Sequence, residues 1–283
     1  MLEMILSPRK AERHSWEMFF VGLVYSALAV FLVNWFFGKD VVMAKYMGIL
    51  IVTFTVMFCI PFIYFLFRVE EKRDLMAEGV FRVFKEHQKG LRALMWLFLG
   101  ILIGYSIMYS IFPKENFAAQ IETYCSINRP NNFDACITQY GVGAGKITGN
   151  FGSTDRFLAI FSNNIYVLIF TVVFSLIFGA GGIFILAWNA SVIAAAIGIY
   201  TNSQLNQLPL GLGRYMIHGI PEIAAYFFGA LAGGILSIAI TKRDYKGDRF
   251  WDILQDVLNL VIIAVIILII AAAVEVYITP KLF

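Results

Sequence analysis

An all-α, polytopic bundle of transmembrane helices is the fold this sequence predicts, on three observations. Sixty per cent of the 283 residues are hydrophobic and only 14% are charged, whereas about a quarter are charged in a typical soluble domain. The apolar residues gather into runs of about 20, the length that carries a helix across roughly 30 Å of hydrocarbon. The ionisable residues lie mostly between those runs. The net charge of +3 is small and scattered among connecting segments, which sets aside nucleic acid as a partner and leaves the lipid bilayer.

The first run, residues 18–37, follows a basic stretch with Arg9, Lys10 and Arg13. No small-residue cleavage site follows it, so it reads as an uncleaved first span rather than a signal peptide. Residues 46–67 and 94–112 are the second and third spans. Between them, in 68–92, Val80, Phe81 and Phe84 recur at helical spacing among charges. Both an amphipathic helix on the membrane surface and a solvated connector fit that pattern. A polar loop, 113–153, holds Cys125 and Cys136, which are disulfide candidates in an oxidising compartment, while Cys59 lies inside a span. Residues 157–178, 183–200, 216–241 and 257–278 complete the set. The fourth and fifth are joined by Gly179-Ala-Gly-Gly182, whose glycines suit a tight reversal. The total is seven spans, or six if 183–200 is re-entrant. Three regions result: a three-span part over 1–112, the loop 113–153, and a C-terminal bundle over 154–283.

Lysine and arginine accumulate in short cytoplasmic loops. Arg68, Lys72, Arg73, Arg82, Lys85, Lys89 and Arg92 mark one such segment, and Lys242, Arg243, Lys246 and Arg249 another. Both are therefore placed in the cytoplasm together with the N-terminus, in a cytoplasmic membrane, and the loop 113–153 is extracytoplasmic. An odd number of crossings is then needed between Phe157 and Thr241, which favours three.

On this topology several polar residues share the outer leaflet. Asn163 and Asn164 lie roughly 10 Å beyond Arg156 along the fourth span, at 1.5 Å per residue. His218 and Glu222 open the sixth span and Glu275 nears the end of the seventh. Ionisable groups in a membrane segment are costly and tend to face a bundle interior, which makes this layer a candidate site. Pro221 suggests a helix that starts near Ile220, with irregular backbone over 210–219 lining a cavity. Plain readings stand beside the functional one: a structural hydrogen bond or ion pair for His218 and Glu222, interhelical bonding for Asn163, Asn164 and the deeper Asn189, and snorkelling for Glu275.

Ala225, Gly229, Gly233 and Ser237 recur every four residues, the stripe that lets another helix approach closely. With Gly179, Gly181 and Gly182 it makes the C-terminal half a tightly packed unit, against a Phe-rich N-terminal half that reads as cladding. The stripe is satisfied either within one chain, by the fourth or fifth span, or across a two-fold axis.

Catalytic signatures are mostly missing. The three histidines are His14, His87 and His218, and no HExxH occurs, so a zinc protease is improbable and any metal is unassigned. Gly141-Val-Gly-Ala-Gly-Lys146-Ile-Thr148 has the wrong spacing for a phosphate loop and lacks Ser or Thr after the lysine. It reads as a flexible glycine-rich loop, with a turn around Pro130. No cofactor is expected. Ser162 stands outside any nucleophile motif, which leaves an intramembrane hydrolase as a minor reading.

Phe161-Ser-Asn-Asn164, the Gly179 to Gly182 turn, Asn189 and above all His218-Gly-Ile-Pro-Glu222 followed by Gly229 and Gly233-Gly234 resemble the stage II sporulation protein M family over about 156–241. The resemblance implies a multi-pass protein of the cytoplasmic membrane. In spore formers the namesake works with two partners that remodel peptidoglycan, and is thought to anchor them. Two main functions follow. One is a non-enzymatic scaffold bound to other membrane proteins or to itself. The other is a channel or transporter for a small ion or solute, with Glu222 as ligand.

Overall fold

The computed structural model describes residues 15–40, 42–71, 80–128, 133–140, 153–179, 181–241 and 248–279. Among them every regular element is helical: α1 (Glu17–Phe37), α2 (Met47–Glu71), α3 (Val80–Ile111), α4 (Ala118–Asn128), α5 (Phe133–Gln139), α6 (Ser153–Phe178), α7 (Gly182–Tyr200), α8 (Leu208–Thr241) and α9 (Asp248–Tyr277). Seven of these are long and apolar enough to cross a membrane: α1, α2, α3, α6, α7, α8 and α9. The fifth span, α7, is uninterrupted, and at 1.5 Å per residue its length is that of a crossing rather than a re-entrant half-helix.

Helix is forced on these segments because lipid offers no partner to a backbone N–H or C=O. That constraint corrects the expected break before Ile220. α8 runs continuously through Pro221, as α2 does through Pro61. A proline removes one ladder bond, but unwinding 210–219 in an apolar setting would expose many more. Between α1 and α2 the chain turns on Asp40, whose Oδ1 accepts from the backbone N–H of Val42 at 2.8 Å and of Met43 at 3.0 Å. The stretch 80–89 is the start of α3 and continues into the third span. His87, one turn before that span's most apolar part, is fully buried.

α8 is the hub, packed against α2, α3, α6, α7 and α9. α7 and α8 are the most enclosed spans, whereas α1, α6 and α9 turn most of their surface outward. This redraws the contrast between a tight C-terminal half and N-terminal cladding: α6 and α9 are cladding as much as α1. The sequence reading also passed over a second close contact. Gly100 and Gly104 form a small-residue pair at i and i+4, and a Cβ at Gly100 would meet the backbone of Phe19 and Leu23, one at Gly104 the Ser26 hydroxyl. Gly22 faces Leu97 and Ile101 in return. α1 and α3 thus pack backbone to backbone, the geometry that small residues spaced by four permit.

The stripe on α8 is filled from within the chain. A Cβ on Gly229 would meet Leu168 and Val172, and one on Gly233 would meet the backbone of Val172 and Leu176. α6, the fourth span, is therefore its partner. Ala225 is fully buried in the same core. At the α6 to α7 reversal Gly179 takes φ +63°, with the Ser237 hydroxyl 3.8 Å from where its Cβ would stand. Gly181 and Gly182 press on the end of α6, against Phe174 and Ser175.

Residues 113–153 include a folded cap rather than a bare loop: a 3₁₀ turn (Lys114–Phe117), α4 and α5. Cys125 and Cys136 form a disulfide with Cα atoms 5.9 Å apart, while Cys59 is free and buried. The glycine-rich 141–148 and the turn at 129–132 lie outside the described residues.

Candidate functional site

Glu222 and Tyr226 are four apart on α8, so the uninterrupted helix sets both on one face. α6 brings Asn164 against that face and α9 brings Glu275. The Asn164 Nδ2 donates to Glu222 Oε1 at 2.9 Å, and the Tyr226 hydroxyl donates to Asn164 Oδ1 at 2.9 Å. The Glu275 carboxyl lies beside that of Glu222. Tyr226 and Asn164 are buried, at 2% and 5% exposure, and form the back of the cluster. The two carboxyls are partly exposed and form its mouth.

Three of the six polar residues singled out in the sequence are thus brought together. Asn163, one residue from Asn164 and about 100° round the helix, is exposed on α6. Asn189 Nδ2 donates to the Ile185 carbonyl of its own helix at 2.8 Å. The backbone of His218 lies in α8 one turn before Glu222, and its side chain is outside the described residues. Ser162 is exposed on α6. Tyr226 was missed by sequence reasoning. Its signal was present, since an aromatic hydroxyl four residues after an intramembrane carboxyl is placed to join it.

The cluster lies near the span ends on the side of the bundle that carries the cap. There it links α6, α8 and α9 and is equipped to hold a proton or to offer carboxyl oxygens to a cation. Among the described residues, no three His, Cys, Asp or Glu side chains are grouped to hold a metal ion.

The cap is fastened to three other helices. Gln120, fully buried, donates from Nε2 to the Gly48 carbonyl of α2 at 2.9 Å and to the Ser191 hydroxyl of α7 at 3.2 Å. Gly48 lets the two approach closely, because a Cβ there would meet the Gln120 carboxamide. Asn116 Nδ2 donates to Asn34 Oδ1 at the end of α1, at 3.1 Å. Phe117 and Ile121 insert into the core, fully buried, and the disulfide ties α5 to α4. Nothing in the sequence marked Gln120 as more than a loop residue.

The model of the Stage II sporulation protein M family matches residues 92–280, from the third span to the last. An uncharacterised protein of Methanocaldococcus jannaschii is 34% identical over 133 residues, covering 45% of this chain and 72% of its own length. No solved structure matches.

Proposed function

The chain belongs to the stage II sporulation protein M family, and from that premise we propose that it is a non-enzymatic membrane anchor whose cap presents a rigid docking surface to other membrane proteins. The observation that carries this reading is the attachment of the cap: a disulfide, a buried glutamine bonded to two spans and two buried hydrophobic side chains hold it in one orientation. Preorganised surfaces bind with less ordering cost than loose loops. The orientation proposed has the N-terminus and the basic segments in the cytoplasm and the cap outside. It rests on the Lys and Arg of 68–92 and 242–249 and on a disulfide that an oxidising compartment would maintain. With Gly229 and Gly233 occupied by α6, partners would use the cap or the outward faces of α1, α6 and α9.

A photo-crosslinking residue at the exposed Glu122 of α4, introduced in native membranes, tests the anchor. It should trap a second membrane protein, with a yield that falls when Cys125→Ser and Cys136→Ser loosen the cap. Failure to trap any protein in intact membranes would count against docking at the cap.

The carboxyl pair supports a second reading, exchange of protons or small cations. Two neighbouring carboxyls backed by a buried asparagine and tyrosine form the kind of group that serves ion pathways in membranes. Flux into liposomes, wild type beside Glu222→Gln, separates it from the anchor.

A further inference from the structure

Among the described residues, Glu222 lies with Asn164, Tyr226 and Glu275, and no Lys, Arg or His side chain offsets the two carboxyls. Neighbouring carboxyls inside a span are costly unless a cation or a proton joins them. The groups around them set which cation fits. The Asn164 carboxamide turns its nitrogen to Glu222, and its oxygen accepts from the Tyr226 hydroxyl. The amide therefore presents a donor, not an oxygen, to the carboxyls. A metal ion stripped of water takes about six oxygens, more than two carboxyls hold.

Towards the cap side the same face of α6 is aromatic. Phe161 and Phe157 precede Asn164 by three and seven residues, so the helix stands them in line with it, one and two turns nearer that end. Their rings are stacked, with centroids 6.2 Å apart and planes 8° from parallel, and both side chains are partly exposed. Ile278, one turn beyond Glu275, is 47% exposed. Acceptors below and apolar surface with ring faces above suit a cation that carries a few donors on an apolar stem. A primary ammonium has three N–H donors and needs no further oxygens, and aromatic faces attract it. We propose that this site binds a primary alkylammonium ion, with its N–H groups on Glu222 and Glu275 and its stem along Phe161 and Phe157. The ammonium of a soluble amine and that of an ethanolamine headgroup share this chemistry. The assignment rests on the cation-exchange reading of the carboxyl pair and narrows its cargo.

The test is calorimetric titration of the full chain in detergent with ethylammonium chloride or sodium chloride. The buffer is alkaline enough to ionise the carboxyls and leave histidine neutral while the amine keeps its proton. Ethylammonium should bind about tenfold more tightly than sodium, through charge-assisted hydrogen bonds directed at both carboxyls. Glu222→Gln and Glu275→Gln should each remove that preference, and if one variant does not elute as a folded species the other decides. Phe161→Leu should weaken ethylammonium about two- to fivefold, the size of an exposed cation–π contact, and leave sodium unchanged. A second arm counts bound lipid by native mass spectrometry. Phosphatidylethanolamine retained over phosphatidylcholine, whose headgroup has no N–H, and lost in Glu222→Gln, would identify the headgroup as the source; ethylammonium binding without that preference identifies a soluble amine. Sodium bound as well as ethylammonium, with the two lipids retained alike, would overturn the proposal, as would a preference that survives both glutamine variants. Proton flux then separates the two claims: a pH gradient collapsed by the wild type would leave exchange standing with another cargo, and a gradient that holds would remove exchange as well.

Discussion

Asn164 of the fourth span donates to Glu222 of the sixth at 2.9 Å, while its own carboxamide oxygen accepts from Tyr226 at 2.9 Å. One side chain thus satisfies two groups on the neighbouring helix, and its orientation is set by both. Its sequence neighbour, Asn163, is exposed. Identical residues side by side therefore have different consequences.

Asn164→Ala should destabilise the folded protein by about 1–3 kcal/mol, because two interhelical bonds are lost and the buried Tyr226 hydroxyl is left without its acceptor. Asn163→Ala should change stability by no more than about 0.5 kcal/mol, as exposed substitutions usually do. Unfolding by SDS titration in mixed micelles measures both. Equal effects would mean that the two asparagines are not distinguished as described.

Glycines on α8 should divide in the same way. Gly233→Leu drives a side chain into the backbone of Val172 and Leu176, and overpacking of this kind costs about 1–3 kcal/mol or more. Gly213, in the same helix, has nothing within 4 Å of its would-be Cβ. Gly213→Ala should stabilise by about 0.5–1 kcal/mol through helix propensity and a less flexible unfolded chain. Thermal aggregation of the detergent-solubilised variants ranks them, and the order Gly213→Ala, wild type, Gly233→Leu is expected.

The three cysteines should titrate as a pair and a single. A maleimide carrying polyethylene glycol should add nothing to the folded, oxidised protein, because Cys125 and Cys136 are joined and Cys59 is buried. Denaturation without reduction should admit one label, at Cys59, and denaturation after reduction three, because Cys125 and Cys136 are as buried as Cys59 while the protein is folded. A label on the unreduced native protein would contradict the disulfide or the burial of Cys59.

Flux decides between the two functional readings. The anchor reading expects proteoliposomes with wild-type protein to hold an imposed pH gradient as long as empty vesicles do. Collapse of the gradient by the wild type but not by Glu222→Gln or Glu275→Gln would instead make the carboxyl pair a conduction site. Because those two groups lie side by side, either substitution alone should suffice.

Seven spans were legible because a bilayer leaves the backbone few choices: a run of about 20 apolar residues must be helix; their starts were not, since α3, α8 and α9 begin at Val80, Leu208 and Asp248, well before the apolar runs do. The disulfide pair was legible because the two cysteines share one polar segment. Family membership was carried by short motifs in the fourth to sixth spans. Pro221 misled for a physical reason. Its local cost is one backbone bond and a ring clash, and a local rule cannot weigh that against the many bonds a surrounding helix preserves.

What only the tertiary structure decided is which faces meet. A helix repeats its faces every 3.6 residues, so spacing places Glu222 with Tyr226 but says nothing of which span lies opposite. Asn164 rather than Asn163 joins them because α6 is turned to lay its residues Leu168 and Val172 against Gly229. The same rotation sends Asn163 outward. Gln120 lies in a segment whose composition reads as loop, and its role exists only because α2 and α7 converge where the cap descends. Sequence by itself determined that the chain lives in a membrane as a helix bundle. Packing between helices, which no single helix encodes, decided which of its polar residues meet.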